Sequence, residues 1–137
     1  LTHSRGNSKT MDSLAKYNNV VNEVKNELSN QIEIALSKGI KNKQIIIDPG
    51  IGFAKNVSQN LTLLRNLEEF TSMPYPLLIG ASRKRFIGSV ISESDPSKRI
   101  FGTAAVASRC VMAGVDILRV HDVKEISQVI VMTKSII

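Results

Sequence analysis

Residues that could bind or activate a small molecule are concentrated in four short segments of this sequence. Each segment combines polar or ionisable side chains, and three of them contain glycine. The segments are His3–Asn7, Asp48–Asn56, Gly80–Arg85 and Arg119–Asp122. Arginine, lysine and histidine bind anions, and a carboxylate accepts hydrogen bonds or opposes positive charge. Four such segments indicate a small-molecule site if the fold brings them together.

Arg119 and His121 give the clearest anion-binding pattern. They alternate with Val120, so both would point to the same side of an extended strand. As ordinary core residues on the inner face of a parallel strand they would be costly to bury. A helix beginning after Asp122 would add backbone N–H groups and a favourable dipole. The alternative is an internal His121 that is hydrogen-bonded for structural reasons alone.

The elements that must position these segments alternate strand with helix. Strands are predicted to end near residues 2, 47, 79 and 120, the second being the apolar run 44–47. Apolar residues recurring every four positions from Val20 predict a helix with Gly39 as its C-cap glycine. Ser58 is predicted to cap the next helix, and Asp95 to cap another that has proline in its first turn. Further helices are predicted at 86–91 and, with capping-box spacing of Asp122 and Glu125, at the end of the chain.

Four βα units imply a parallel sheet, either doubly wound or closed as a barrel. Ligands of both architectures bind at the carboxyl ends of the strands, where the four segments lie. A complete eightfold barrel needs about 250 residues, and this chain has 137. The chain also starts at Leu1 without methionine and runs directly into a loop. We therefore expect a fragment that supplies half of a barrel.

Composition narrows the classes of partner. The chain is 42% hydrophobic and 22% charged, with no apolar run long enough for a membrane span. Its net charge of +6 favours anionic partners. With four Phe, two Tyr, no Trp and no long basic tract, nucleic acid binding is the weaker interpretation. The single cysteine, Cys110, fits a reducing compartment, and its helical setting predicts packing rather than chemistry.

Three of the segments resemble the carboxyl-terminal signatures of the dihydropteroate synthase family. They are Asp48-Pro49-Gly50-x-Gly52-Phe53-x-Lys55, Gly80-x-Ser82-Arg83-Lys84 and Arg119-x-His121-Asp122, in the family's order and at similar spacing. The resemblance extends from Leu1 to the last helix. Ala54 departs from it, because a glycine is usual there, and Thr2 and Ser4 stand where bacterial members often have methionine. The resemblance also fits a eukaryotic, fungal-type multifunctional folate synthesis protein.

The resemblance implies the last four units of a (βα)8 TIM barrel, with residues 1–137 forming the carboxyl-terminal half of one domain. The reaction it implies joins 6-hydroxymethyl-7,8-dihydropterin pyrophosphate to p-aminobenzoate. Asp48 would bind the pterin ring, and Arg119 and His121 the pyrophosphate. Lys84 would contact the pterin and one wall of the aminobenzoate pocket. Ser82 would meet the aminobenzoate carboxylate, and Phe53 would line the same pocket. Gly52 and Gly80 complete the implied substrate-binding set, of which Asp48, Lys84, Arg119 and His121 would be catalytic.

The resemblance further implies a Mg²⁺ ion whose main protein ligand lies in the other half of the barrel, with no metal ligand in this chain. We also expect a homodimer as the intact enzyme, no membrane or nucleic acid partner, and a cytoplasmic location, or a mitochondrial one in a eukaryote. The fragment alone should be inactive.

Simpler explanations remain open for several residues. Asp48 before Pro49 could merely initiate a turn, Lys84 lies in a basic triplet typical of solvated surfaces, and Phe53 could be core. Arg83 and Arg85 are predicted to be surface or anion-steering groups, and the sequence leaves His3 undecided. Two rival functions also remain. One is a pterin-binding methyltransferase domain, which needs no pyrophosphate site, and the other is a catalytically silent barrel fragment.

Overall fold

The computed structural model describes all residues from 1 to 137 as alternating strand segments and helices. Six α-helices follow one another: α1 (Val20–Ser37), α2 (Val57–Arg65), α3 (Glu68–Thr71), α4 (Arg85–Ile91), α5 (Ile100–Met112) and α6 (Val123–Ile136). Two short strands are β1 (Leu78–Ile79) and β2 (Ile117–Leu118), and two 3₁₀ turns are Asn42–Gln44 and Pro96–Lys98. No helix combines the length and the apolar character needed to cross a membrane.

The strand segments pair in parallel and in chain order. Thr2 bridges to Asp48, and Ile47 bridges to Leu77 at the start of the next segment. β1 then pairs with β2 in parallel register. Each segment thus neighbours the one before it, with no reversal of order. A doubly wound sheet reverses order at a switch point, so this succession is that of one sector of a TIM barrel, as predicted.

The core lies between this sheet and the helices that cover it. Its buried members come mainly from α1, α2 and the strands, and the largest include Leu28, Ile47, Leu63, Phe70, Leu77 and Ile79. The end of α1 confirms Gly39 as the C-cap glycine. Its N–H donates to the Leu36 carbonyl while that of Ile40 donates to Ala35, and the φ of Gly39 is +87°. This is the Schellman arrangement, which requires the left-handed conformation that glycine adopts freely.

Four local predictions were wrong. Asp95 caps a separate 3₁₀ turn, Pro96–Lys98, and α5 begins only at Ile100. Asn56, not Ser58, caps α2, because Asn56 and Gln59 exchange side chain to backbone hydrogen bonds in a capping box. Gln44 belongs to a 3₁₀ turn rather than to the strand. At the start of α6 the carboxylate of Asp122 makes no capping bond. It pairs instead with Arg83, and a charged partner offers a stronger interaction than a neutral N–H.

Candidate functional site

Asp48 ends the second strand segment with its carboxylate fixed from two sides. The Gly50 N–H donates to Oδ1 at 2.8 Å, and the Thr2 hydroxyl donates to Oδ2 at 3.3 Å. Gly50 has a φ of +70°, and an added Cβ would lie 1.9 Å from the His3 carbonyl oxygen, so only glycine fits this turn. A carboxylate can accept about four hydrogen bonds. Asp48 therefore makes a local turn, as the simpler explanation holds, and still has acceptor capacity for a ligand.

The loop after Asp48 lies against Lys84 from the neighbouring segment. Lys84 Nζ is 4.0 Å from the centre of the Phe53 ring and donates to the Ile51 carbonyl. A Cβ on Gly52 would come within 2.6 Å of the Lys84 side chain, which explains the glycine. Phe53 is only half-buried and does not belong to the hydrophobic core. The pair forms a cation–π contact, a geometry that also offers an aromatic wall to a bound ring.

Lys84 connects the two charged parts of the site. Burial lowers the pKa of Lys84 to about 8, with Asp48 opposing this shift and the Arg119 guanidinium adding to it. Lys84 lies against the loop that follows Asp48, and Arg119 packs on Gly80, in the same segment as Lys84. Lys84 remains mostly charged at neutral pH. It therefore contributes positive charge to the site between Asp48 and Arg119.

Arg119 follows β2 and packs beside Gly80. A Cβ at Gly80 would lie 3.0 Å from Arg119 Nη2, so glycine leaves room for the guanidinium. Arg119 has no hydrogen-bond or ion-pair partner within the chain and is solvent-exposed. The strand ends at Leu118, before the predicted end near residue 120, so Arg119 lies beyond the strand rather than on its inner face. An exposed arginine with unused donors at this position is available to bind an anion.

His121 is held by Ser82 across the same strand ends. The Ser82 hydroxyl oxygen accepts the His121 backbone N–H at 3.2 Å and lies 2.9 Å from the ring Nδ1. If the hydroxyl donates to Nδ1, the other ring nitrogen carries the proton and is free to donate outward. His121 is exposed, which contradicts the alternative of an internal histidine. Ser82 is buried, and its predicted contact with a carboxylate stays a prediction.

Two basic residues of the Gly80–Arg85 segment have structural partners. Arg83 forms an ion pair with Asp122 and has a φ of +58°, and its backbone N–H donates to Thr103 Oγ1 at 3.1 Å. Arg85 pairs with Asp12 on the surface. Arg83 therefore ties the segment to the start of α6, which the sequence interpretation missed.

An ionisable cluster next to Asp48, in which His3 and Lys55 are buried, was also missed. Its members are His3, Arg5, Glu27 and Lys55. The only sequence signal was that Lys55 belongs to the first motif and that His3 precedes a polar loop. The chain has no group of three or more His, Cys, Asp or Glu placed to hold a metal ion. The expected Mg²⁺ stays a prediction.

A cavity of about 790 Å³ opens on the outer side of the Phe53–Lys84 pair. Its other walls come from the loop at residues 8–15, from Asn56 and Asn60, and from Arg83, Arg85 and Arg99. Asp48, Arg119 and His121 do not line it. They lie on the open strand ends instead. The structure thus presents two neighbouring regions: the half-open cavity, which has an aromatic wall, and an open region at the strand ends, where Arg119 has unused donors.

Comparison with known proteins gives this arrangement a family. The sequence profile of the family described as pterin binding enzyme matches residues 1–121. The dihydropteroate synthase of Synechocystis is 46% identical over 129 residues, which cover 94% of this chain and 45% of that protein. The folic acid synthesis protein fol1 of Schizosaccharomyces pombe is 41% identical, covering 99% of this chain and 19% of its own length. The chain thus spans less than half the length of these curated relatives.

Solved structures give the same result. The dihydropteroate synthase of Thermus thermophilus in complex with 6HMPPP matches with a TM-score of 0.93 and 39% identity, covering 99% of this chain and 54% of that one. The same enzyme in complex with 4-aminobenzoate matches with a TM-score of 0.94 and 38% identity, covering 100% and 53%. A Yersinia pestis dihydropteroate synthase with a sulfonamide drug matches with a TM-score of 0.93 and 33% identity, covering 98% and 48%. Together with the strand order and the three motifs at the strand ends, these matches show that the chain belongs to the family of pterin binding enzymes.

Proposed function

We propose that residues 1–137 are the carboxyl-terminal half of a barrel that works as a dihydropteroate synthase. The relatives match the chain over about half of their own length. Both outer strand segments, at Thr2 and at β2, have a neighbour on one side only. Unpaired strand edges are normally covered or paired. An amino-terminal half would pair both edges and complete the domain, and we call the two halves together the complete barrel.

The single observation that supports the synthase most strongly is the proximity of Asp48, Lys84 and Arg119. Asp48 would accept hydrogen bonds from the amino-pyrimidine edge of the pterin. Arg119, whose donors are unused in the chain, would bind the pyrophosphate together with His121. Lys84 lies between Asp48 and Arg119, against Gly52 in the loop after Asp48 and in the same segment as Gly80, on which Arg119 packs. A methyltransferase would need the carboxylate but would have no use for the unpaired Arg119, so we favour the synthase.

The second substrate would occupy the cavity beside Phe53 and Lys84. The aromatic ring of p-aminobenzoate would stack near Phe53, and the basic walls of the cavity would attract its carboxylate. The amine would then face the open region where the pterin lies. The Thermus thermophilus enzyme is known in complex with 6HMPPP and with 4-aminobenzoate, which supports two neighbouring subsites.

The reaction is a substitution at the methylene carbon of the pterin. The carbon–oxygen bond to pyrophosphate breaks, and a carbon–nitrogen bond to the amine of p-aminobenzoate forms. Asp48 would stabilise positive charge on the pterin, while Arg119 and His121 would neutralise the departing pyrophosphate. The amine is neutral at pH 7 and carries its own lone pair, so no general base is required to activate it. Its proton passes to solvent after the bond has formed.

Two further features of the proposal lie outside the site. Mg²⁺ would be bound mainly by the amino-terminal half and would add charge neutralisation at the pyrophosphate. The intact enzyme would be a homodimer, which the exposed apolar side chains Phe101, Met112, Val131, Met132 and Ile136 on α5 and α6 support.

The test is turnover by the complete barrel, obtained by joining the chain to the amino-terminal half of the Synechocystis relative. With pterin pyrophosphate, p-aminobenzoate and Mg²⁺ we expect dihydropteroate and pyrophosphate in equal amounts. Asp48→Asn should abolish most of this activity and weaken binding of a bare pterin, while binding of free pyrophosphate should hardly change. A folded complete barrel that binds pterin but releases no pyrophosphate would refute the synthase. One that binds neither substrate would favour the catalytically silent fragment.

A further inference from the structure

The buried side chain of Lys55 holds the loop that carries the site. Its Nζ lies 3.2 Å from the Gly50 carbonyl oxygen and 2.9 Å from the Phe53 carbonyl oxygen. The third neighbour is His3 Nδ1 at 2.9 Å. His3 has no exposed surface, and Lys55 is 7% exposed. These contacts span the residues between Asp48 and the Phe53–Lys84 pair, so the position of Lys55 fixes the shape of that loop.

Counting hydrogens shows which protonation state satisfies this geometry. An ammonium group has three hydrogens, which match the two carbonyl oxygens and the ring Nδ1. His3 must then carry its proton on Nε2, which lies 2.8 Å from Glu27 Oε2. Arg5 donates to the other side of Glu27 through Nε at 3.1 Å and stacks on the Tyr17 ring at 3.9 Å. Every donor around Lys55 and His3 then has an acceptor.

We propose that Lys55 is a positioning residue for the aminobenzoate subsite, and that the His3–Glu27 pair keeps the positive charge on its ammonium group. The proposal rests on the function proposed above. Lys55 lies at the edge of the cavity but is only 7% exposed, and its ammonium group is committed to three acceptors of the protein. It acts through the loop, by holding Phe53 against Lys84 and by keeping the turn at Gly50 that orients Asp48. When the group loses its proton, two hydrogens remain for three acceptors, and the loop loses one of its ties.

The charges around Lys55 place this loss near neutral pH. Burial is the largest cause and lowers the pKa of Lys55 to about 7. The charged groups facing it are Asp48 and Glu27, which raise its pKa, and Lys84 and Arg5, which lower it. Burial also lowers the pKa of His3, with the charge of Lys55 as the next cause, so His3 does not compete for the proton. Removing the charge of Glu27 should therefore make Lys55 lose its proton at lower pH.

The test measures the affinity of the complete barrel for p-aminobenzoate between pH 5.5 and 9.5 by calorimetry. In the wild type we expect the affinity to fall as the pH rises through about 7, the pKa of Lys55. Glu27→Gln should move this fall to lower pH by about one unit. The matched control is Glu33→Gln, an exposed glutamate on the same helix, whose profile should overlay the wild type. Lys55→Gln should bind about tenfold to a hundredfold more weakly, with this pH step absent.

The titration of Lys84 can be distinguished from that of Lys55 in this experiment. The pKa of Lys84, about 8, responds to Asp48 and Arg119, not to Glu27, so only the step due to Lys55 should move in Glu27→Gln. Glu27 is 35% exposed, so this variant keeps the test decisive even where Lys55→Gln does not fold. Overlaying profiles for Glu27→Gln and the wild type would overturn the positioning role while leaving the synthase proposal intact. A wild-type barrel that binds no p-aminobenzoate at any pH would overturn both.

Discussion

Replacement of Arg119 by alanine in the complete barrel should separate pyrophosphate binding from pterin binding. Arg119 is exposed and has no partner in the chain, so its removal leaves no buried donor or acceptor unpaired. We therefore expect the free energy of unfolding to change by less than about 0.5 kcal/mol. A hydrogen bond between charged groups contributes about 1.5–3 kcal/mol. The affinity for pyrophosphate should therefore fall by about tenfold to a hundredfold.

The measurement is calorimetric titration of wild type and Arg119→Ala with pyrophosphate and, separately, with a pterin that lacks it. Pterin affinity should be almost unchanged, because Asp48 keeps its contacts with Thr2 and Gly50. The matched control is Arg65→Ala, an exposed arginine in the last turn of α2, the end that faces away from the strand ends. Equal pyrophosphate affinity in Arg119→Ala and wild type would refute the anion-site assignment and reopen the methyltransferase interpretation.

Three further predictions concern the Asp48–Asn56 loop of the complete barrel. Phe53→Leu should weaken p-aminobenzoate and sulfonamide binding by about threefold to thirtyfold, because the ring beside Lys84 is lost. An equal loss of affinity for bare pterin in the same titrations would show that the pocket is wrongly assigned. Lys55 should make unfolding pH-dependent. The folded state releases its proton near pH 7 and the unfolded state near 10.5, so the unfolded state holds more protons between these values and stability rises with pH. In denaturant titrations the wild type should gain up to about 1.4 kcal/mol per pH unit relative to Lys55→Met over this range, and parallel curves would contradict the buried charge. Ala54→Gly should change the unfolding free energy by less than about 1 kcal/mol. The φ of +48° at Ala54 is strained for alanine, but glycine loses more entropy on folding. A decrease in the free energy of unfolding of more than about 2 kcal/mol, measured by the same method, would mean that the buried methyl group matters more than the strain.

The fold was predictable because two independent patterns agreed. The apolar runs predicted the strand segments that contain Ile47 and Ile79. Apolar residues at every fourth position from Val20 predicted α1. Both patterns arise because the apolar side chains of a strand or helix are buried, and such patterns can be read from a short stretch of sequence. The errors fell at element ends, where competing side chains decide the outcome. Ser58 and Asn56 are both good capping residues, and only the geometry of Gln59 selects Asn56.

The site residues were found by type and spacing, but their partners were not. Arg119 and His121 were expected to point to one side of a strand that ends near residue 120, but the strand stops at Leu118 and both side chains are exposed. The pairing of Arg83 with Asp122 joins positions 39 residues apart. Such contacts depend on how the chain returns in space, and no local pattern contains that information.

The Ala54 position shows how the missed cluster and the recognised motif belong together. The sequence presents Ala54 as a departure from the usual glycine, and its φ of +48° explains why glycine is usual there. A strained alanine persists only where its surroundings hold the backbone. Lys55 supplies such a restraint, because its ammonium group donates hydrogen bonds to the carbonyl oxygens of Gly50 and Phe53, which precede Ala54 in the same loop. The lysine that ends the motif is thus the residue that maintains the conformation of the motif, and a loop held by one buried charge is sensitive to whatever neutralises that charge.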